Sequence, residues 1–534
     1  MLKSGDFLGI INSVNPTEED WSKIQYLIEA FCLAWEFDKA ERLLHQWKGK
    51  LDDLGKIIHW HYLWSVFLSE KISDRKAVKA VEDGLALLEM NMQAPGAYLL
   101  RNKFLLFRGR SLIRIDRLDD ATEILYRVLD EFKKMEEDWC IGFTYISLGI
   151  CYEYKNEYAK AISVLTEAVE IFRILGADLN LSKALHLLGW NYRHYGEIDQ
   201  SLTNSKESLL IADCLKNNRL ITLTLANIAW VYRLQGRLTE ASAIINQAII
   251  IIDPKGNDYF LALFKMILGD IYFDLENHSA AIELYEASLD IFKQMEDYHR
   301  VAKIICSTSR SHLKKGTFAL ELPIFNQFFT LPQKNDYIKG MKHVLDGITA
   351  QKLDRVLDAI NSWQKALNHF GEDFELRFIV FEALCELNYL NLIKENNEMS
   401  RAMFQNLLTD WEKHFQSNNA SVAVCTILLI KAQFFITLEK FSVVDDLLRE
   451  SIAMAQSKAL PLHNKLSRRR LESFNALKDE YEQANFDQKK QIMNREQKLL
   501  EDHIKSFPCI LNELSVLENS EKAKDYQTII FSNS

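Results

Sequence analysis

Proline and glycine are scarce in this chain, at 7 and 19 of 534 residues. Many-turned β architectures need both at their corners, so long uninterrupted helices are favoured instead. Cysteine occurs eight times, yet no two are spaced as CxxC and none has a nearby histidine in a zinc-ligand pattern. Cys32, Cys140, Cys151, Cys214, Cys306, Cys385, Cys425 and Cys509 lie mostly among apolar residues, where a reduced thiol acts as a small hydrophobe. That suits a reducing compartment. The longest apolar runs, such as Val422–Ile430, fall far short of the ~20 residues of a membrane span. Met1–Pro16 lacks the basic start and apolar core of a signal peptide. A cytoplasmic location is expected, with no membrane partner.

Basic charge is also short. The net charge of −10 argues against a general nucleic-acid binder, which needs a basic surface to displace counterions from phosphates, though a local basic patch stays open. Catalytic signatures are missing too: there is no GxxxxGK[ST], GxGxxG, GxSxG or HExxH. His59 and His61 are two apart and point away from each other on a helix. His186 and His194 share a helical face but lack a third ligand. No catalytic residue, metal or cofactor is expected.

What the chain does have is a forty-residue repeat. Tyr145–Tyr152, Leu185–Tyr192, Leu225–Tyr232 and Lys265–Tyr272 align without a gap. Each is followed by a small residue (Ala161, Ser201, Ala241, Ala281) and then by another (Ala168, Ser208, Ala248, Ser288). Weaker copies flank them at Gly109, Leu112, Ala121 and Leu125, and at Ser309, His312 and Gly316. Small residues at the Gly149 and Ala161 positions let two helices of a hairpin approach closely, while Tyr152 and Leu165 are expected to fill the space between neighbouring hairpins. A hairpin alone leaves an apolar face exposed, so stacking is obligatory. Asn156, Gly196, Gly236 and Asn277 fall at the inter-helix turns, where a residue tolerant of left-handed backbone ends the first helix, and Pro254 falls between two units.

These residues resemble the tetratricopeptide repeat family, whose signature runs W-x₂-L-G-x₂-Y, then A and F, then A and P. The long period is similar to the repeats of kinesin light chains and of bacterial sensor-arm and peptide-receptor proteins. The tryptophan position is filled by Tyr145, Leu185, Leu225 and Lys265, and the terminal proline is missing. The resemblance implies an all-α fold, a right-handed superhelical α-solenoid of stacked antiparallel helix hairpins.

The expected layout is a lead-in or cap over 1–18 and a regular array over 19–316, of about seven units, clearest over 141–300. A connector bounded by Pro323 and Pro332 follows over 317–336, then a degenerate array over 337–462. Charged helices span 463–518 and a tail 519–534. Ala459-Leu-Pro461 and this order of parts look like archaeal tetratricopeptide proteins. In the charged helices Phe474, Leu477, Tyr481 and Ala484 recur at 3, 4, 3 spacing, which reads as a cap or as a coiled-coil seam for a homodimer.

In this repeat class the first helix of each hairpin lines the binding groove. Carrying those positions over gives Arg110, Arg114, Tyr154, His186, Trp190, Arg193, His194, Asn227, Trp230, Arg233, Phe273 and Arg310 as partner-binding candidates. Across all groove positions of six units, nine basic residues (Lys103, Arg110, Arg114, Lys183, Arg193, Arg233, Lys303, Arg310, Lys314) face three acids (Glu153, Asp270, Asp274). Trp190 and Trp230 stand at equivalent positions beside Arg193 and Arg233, residue types enriched at hot spots; equally, they pack between first helices. Asn227 matches the asparagine that holds a peptide backbone in kinesin-light-chain-like repeats, whereas Ser147, Leu187, Ile267 and Ser307 occupy the other such places.

The expected function is a non-catalytic scaffold or adaptor that takes an extended or helical protein or peptide segment, acidic and apolar, in its groove. Exchanging Arg193 and Arg233 for glutamate is expected to abolish binding without unfolding. The alternative is a ligand- or peptide-gated regulator whose array changes conformation. RNA binding through Arg468–Arg470 and the groove arginines ranks last.

Overall fold

Two kinds of helix alternate along the chain, and the reason is the number of neighbours each must meet. The helix Asp138–Tyr154 buries twelve of its seventeen residues, because other helices flank it on several sides. Its successor, Tyr158–Leu175, buries one stripe only: Tyr158, Ala161, Leu165, Ala168, Val169 and Phe172. That spacing is the single apolar face of a helix whose other side meets water.

The computed structural model describes residues 7–15, 20–71, 73–235, 237–252, 258–319, 323–332, 336–395, 397–417, 421–457 and 461–505. Among them are 25 α-helices and no strand. The tail 519–534, Cys509, Gly236, Pro254, Ala459 and Leu460 lie outside the described residues. No helix among the described residues is long and apolar enough to cross a membrane.

The helices fall into two compact units. The first comprises residues up to Tyr192 together with Thr203–Thr224; the second comprises Arg193–Leu202 together with residues from Leu225 on. The first unit holds α1 (Phe7–Ser13), then hairpins of α2 (Trp21–Leu33) with α3 (Phe37–Lys48), and α4 (Leu54–Glu70) with α5 (Asp74–Glu89). Next come α6 (Ala97–Arg114) with α7 (Leu118–Lys134), and α8 (Asp138–Tyr154) with α9 (Tyr158–Leu175). Three helices contribute residues to both units: α10 (Asp178–Tyr195), α11 (Ile198–Cys214) and α12 (Asn218–Leu234). The second unit continues with α13 (Leu238–Ile251), α14 (Asp258–Asp274) with α15 (His278–Gln294), and α16 (Tyr298–Lys315). A short helix, α17 (Pro323–Gln327), precedes α18 (Asp336–Lys352) with α19 (Val356–Leu367) and α20 (Phe374–Glu395) with α21 (Glu398–Ser417). Last are α22 (Ser421–Thr437) with α23 (Phe441–Ser457), and α24 (Pro461–Gln483) with α25 (Phe486–Lys505).

One contact explains the hairpins. A Cβ added at Gly149 would stand 2.6 Å from Leu165, and one added at Gly269 would stand 2.7 Å from Tyr285. The large residue sixteen positions on therefore sits directly on the glycine, filling the hairpin from within. This corrects the expectation that Leu165 packs between neighbouring hairpins; Tyr152 does reach a neighbour, its hydroxyl 2.6 Å from that of Tyr126 on α7. The small residues Ala161, Ala168, Ser201, Ser208, Ala241, Ala248, Ala281 and Ser288 are all fully buried. Gly347 and Trp363 repeat the contact at 2.7 Å, with Ala359 and Ala366 buried at the same offsets. The α18–α19 pair thus carries the full small-residue spacing, within a region expected only as a degenerate array.

Left-handed backbone ends the first helices at Asn156 (φ 56°), Gly196 (φ 97°) and Glu276 (φ 61°). At the third turn the expected residue was Asn277. It instead starts α15, its side chain accepting the Ala280 N–H at 3.2 Å, a helix-starting bond that leaves the left-handed position to Glu276. Ile324 and Phe328 bury themselves between the two prolines, and Phe318 and Phe325 meet edge to face at 6.0 Å.

Candidate functional site

The twelve partner-binding candidates do not face open solvent. Of the twelve candidates none is exposed: Arg110, Arg193, Asn227, Trp230 and Phe273 are buried, and Arg114, Tyr154, His186, Trp190, His194, Arg233 and Arg310 are partly so. Buried cations need counter-charges, and each unit meets that need in its own way.

In the second unit the counter-charge is Glu375, in the first turn of α20. Its carboxylate lies 3.1 Å from Arg193, 3.2 Å from Arg233 and 3.3 Å from Lys303. Burial alone would raise the Glu375 carboxyl, but Lys303, Arg193 and Arg233 outweigh it and hold it well below the usual carboxylate range. Trp230 lies beneath the same cations, with Lys303 4.2 Å and Arg193 4.4 Å from its ring. Arg193 also donates to the Asn227 side-chain oxygen at 3.1 Å, and Asn227 reaches Ser201 at 3.5 Å. Arg233 holds Asp274 at 2.5 Å, and Lys303 holds Asp270 at 3.3 Å. Asp270 in turn accepts the Tyr285 hydroxyl at 2.6 Å.

His194 joins this cluster through Asp373, 3.0 Å from its Nδ1, while its Nε2 lies 2.7 Å from an Arg193 guanidinium nitrogen. An arginine can only donate, so Nε2 accepts and Nδ1 carries the proton to Asp373. Burial and the Arg193 charge both lower the His194 pKa, which favours this neutral ring. Asp373 also accepts the Leu376 N–H at 2.8 Å, starting α20 where it does.

Beyond the cluster, α16 and α20 carry matched stripes. Lys303, Arg310 and Lys314 on α16 meet Glu375, Glu382 and Glu386 on α20 at 3.3, 3.6 and 2.8 Å. Both stripes step by seven and then four residues, one face of a helix. Phe273 packs under Arg310, its ring 4.8 Å from the guanidinium. Burial pushes the Glu382 carboxyl up to about 7, because Arg310 at 3.6 Å offsets only part of that effect.

The first unit builds a smaller cluster around Glu70. One carboxylate oxygen takes Arg110 at 3.0 Å and the other takes the Trp35 indole N–H at 2.7 Å. Trp35 sits at a left-handed turn (φ 65°) after α2. Lys183 lies 4.1 Å from its ring, and Arg219 lies 4.5 Å from it. Lys183 also donates to the Leu33 carbonyl. Arg114 donates to Asp74 and to the Ser69 carbonyl, both at 2.8 Å. Burial, with Arg110 and Arg219 nearby, drops the Lys183 pKa to about 7 against the pull of Glu70. The same burial lowers Arg219 to about 9.

These contacts change several site readings. Arg193 is fully buried and ion-paired, so exchanging it and Arg233 for glutamate places further carboxylates beside Glu375, Asp274 and Asp270. Loss of folding, not selective loss of binding, is the expected result. Asn227 is spent on Arg193 and Ser201 rather than open to a peptide backbone. Trp230 is buried while Trp190 is only partly so, so the two tryptophans do not play equal parts. His186 lies 3.5 Å from Thr224, whereas His194 serves Asp373. Sequence reasoning missed Trp35, Glu70 and Glu375. The acidic stripe on otherwise apolar α20 was the available signal for the last of these.

In the C-terminal helices, Phe474 and Leu477 are buried, and Tyr481 meets Phe441 of α23 edge to face at 5.1 Å. Gln433 of α22 donates to Glu496 of α25 at 3.0 Å. The apolar seam of α24 is therefore occupied by its own chain.

Compared with known proteins, the tetratricopeptide repeat model matches residues 144–173 and 264–295. These are the two hairpins in which Gly149 meets Leu165 and Gly269 meets Tyr285. The described residues are all-α, and these two hairpins are of the tetratricopeptide type. No curated protein matches it. Among solved structures it is similar to a Rap protein complexed with competence and sporulation factor, at 14% identity over 75% of this chain and 98% of that one, with a TM-score of 0.45. It is also similar to NprR in complex with its cognate peptide NprX, at 16% identity over 66% and 99%, with a TM-score of 0.46. A third is a signal-transduction ATPase with a tetratricopeptide repeat sensor from Pyrococcus horikoshii, at 13% identity over 67% and 54%, with a TM-score of 0.41.

Proposed function

We propose that the protein is a non-catalytic interaction scaffold whose first-helix faces take an acidic, apolar-flanked segment of a partner protein. One observation carries this reading: cations from three first helices, α10, α12 and α16, converge on Glu375, a carboxylate that lies 182, 142 and 72 residues from them in sequence. A face that recognises acid on an apolar helix within the chain has the chemistry to recognise it on another chain. The thiols of Cys32, Cys306 and Cys385 are pushed up by burial, which keeps them protonated.

The occupation of that face by α20 favours a second reading, a gated regulator. An external acidic segment in the second unit would have to displace the first turn of α20, and with it the Asp373–His194 contact.

The test is fluorescence anisotropy of the full-length protein with a short acetylated peptide of alternating leucine and glutamate. Binding that weakens steeply with salt, and that a leucine–glutamine peptide does not share, supports the reading. Equal affinity for both peptides, or for neither, contradicts it.

A further inference from the structure

The last two hairpins of the second unit leave a space that their own side chains do not fill. The helices α24 and α25 follow one another in sequence but pack on different neighbours, α24 on α23 and α25 on α22 and α20. Tyr481 of α24 donates to Glu439, just before α23, at 2.6 Å, while the Gln497 carbonyl of α25 accepts from Tyr389 of α20 at 3.2 Å. Between them opens a cleft of about 370 Å3. Leu429, Ala432, Ile436, Leu448, Phe474 and Leu477 form its apolar floor, and all six are buried. Protein interiors pack as tightly as organic crystals, with few voids larger than a water molecule. An apolar cavity of about 150 Å3 already takes a benzene ring, and this cleft is more than twice as large.

Two further observations say what kind of molecule fits. The polar groups of one wall are spent on one another: Gln433 donates to the Glu496 carboxylate at 3.0 Å, and Arg495 reaches Glu496 at 3.2 Å and Glu480 at 3.0 Å. A ligand held by ionic recognition would have to break this chain of bonds, whereas an apolar one need not. The cleft is also long and narrow. Its lining runs from Arg470 to Glu480 on α24, about 15 Å of helix. Spread over that length, the volume leaves a channel narrower than a helix with its side chains, about 10 Å across. One side is open to water, where Ser473, Ala476 and Glu480 are exposed.

We propose that the cleft between α24 and α25 binds a single-chain amphiphile, its alkyl or acyl chain along Leu448, Phe474 and Leu477 and its polar head at the open side beside Ser473. Burial of the chain supplies the affinity, because each methylene leaves water for an apolar floor. The head stays hydrated and leaves the bonds among Gln433, Glu496, Arg495 and Glu480 intact. This goes beyond the scaffold reading and does not depend on it.

The experiment loads the full-length protein with a neutral naphthylamine dye that fluoresces in apolar surroundings, then displaces it with hexanol, octanol, decanol, dodecanol and hexadecanol. Saturable displacement is expected, each added methylene strengthening the alcohol about fourfold until the chain outgrows the cleft. A gain that continues undiminished to hexadecanol marks non-specific partition and overturns the proposal, as does a lack of saturable displacement. Ala476→Trp, which fills the exposed rim, is expected to weaken decanol about tenfold or more, the worth of about two buried methylenes. Asn475→Trp, beside it on α24 and equally exposed, should leave decanol unchanged. Equal effects of the two variants, or none, place the dye elsewhere and overturn the assignment. Should Ala476→Trp fail to fold, Ser473→Trp on the same rim repeats the test. Displacement accompanied by a change from dimer to monomer in light scattering would give the cleft to a second copy of the chain, and would equally overturn it.

Discussion

Glu375 and Glu70 hold the same kind of post in the two units, a buried carboxylate among basic residues of first helices, but the group whose pKa is displaced beside each is different. Around Glu375 the acidic stripe of α20 meets the basic stripe of α16 pair by pair, and it is a carboxylate, Glu382, whose pKa is displaced to about 7. Around Glu70 it is an amine, Lys183, that is displaced to about 7. A basic face in a helical-repeat array is therefore not by itself an empty groove. Its meaning depends on whether the chain supplies the acid, and here Glu375 does so in the second unit and Glu70 with Asp74 in the first.

The largest expected effect breaks the Glu375 cluster. Glu375→Leu leaves Arg193, Arg233 and Lys303 without their shared counter-charge, and removing one partner from a buried ionic network costs about 3–5 kcal/mol. The denaturant midpoint of the second unit, followed by hydrogen exchange at α16 and α20, should fall accordingly. An unchanged midpoint would mean that the cations are solvated. Next come Gly149→Ala and Gly269→Ala, where the added methyl collides with Leu165 and Tyr285. Overpacking of this kind costs about 1–3 kcal/mol. The two losses should be similar, because hairpin packing is common to both units; a loss at only one position would deny that common basis.

The pH dependence separates the units by sign. Lys183 titrates near 7 in the folded chain and near 10.5 unfolded, so over that window the unfolded chain binds the extra proton. Its contribution to stability grows as pH rises from about 7 and is lost as pH falls back through that value. Glu382 titrates near 7 folded and near 4.5 unfolded, so its contribution is complete below 4.5 and lost as pH rises through about 7. Thermal melts across pH should show Lys183→Met flattening the alkaline slope and Glu382→Gln flattening the acidic one. Variants that leave both slopes in place would contradict the two assignments. The smallest effect belongs to the exposed pair of Arg173 with Glu207, 2.8 Å apart: Arg173→Ala should melt within about 1 kcal/mol of wild type.

Much of the fold was legible because its causes are local. The spacing from Gly149 to Ala161 to Leu165 states a hairpin contact within seventeen residues, and small residues at those offsets are buried throughout. The same offsets at Gly347, Ala359 and Trp363 were equally present and were overlooked. The candidate site was legible only in part. Periodicity placed Arg193, Arg233 and Arg310 on one face, but it carries no record of what that face meets. Glu375 lies 182 residues from Arg193, and the Leu33 carbonyl lies 150 residues from Lys183. No spacing rule spans such separations. The matched stripes of α16 and α20, seven and four residues apart in each, were the one long-range clue written in the chain.

The most direct measurement is hydrogen exchange of the full-length protein with and without the leucine–glutamate peptide. Protection should appear in first helices, α6, α10 and α12 among them, while α7 and α9 exchange as before. Faster exchange in the first turn of α20 would add that the partner enters by displacing the acid the chain already holds. Protection confined to α7 and α9 would contradict the binding of a partner on the first-helix faces.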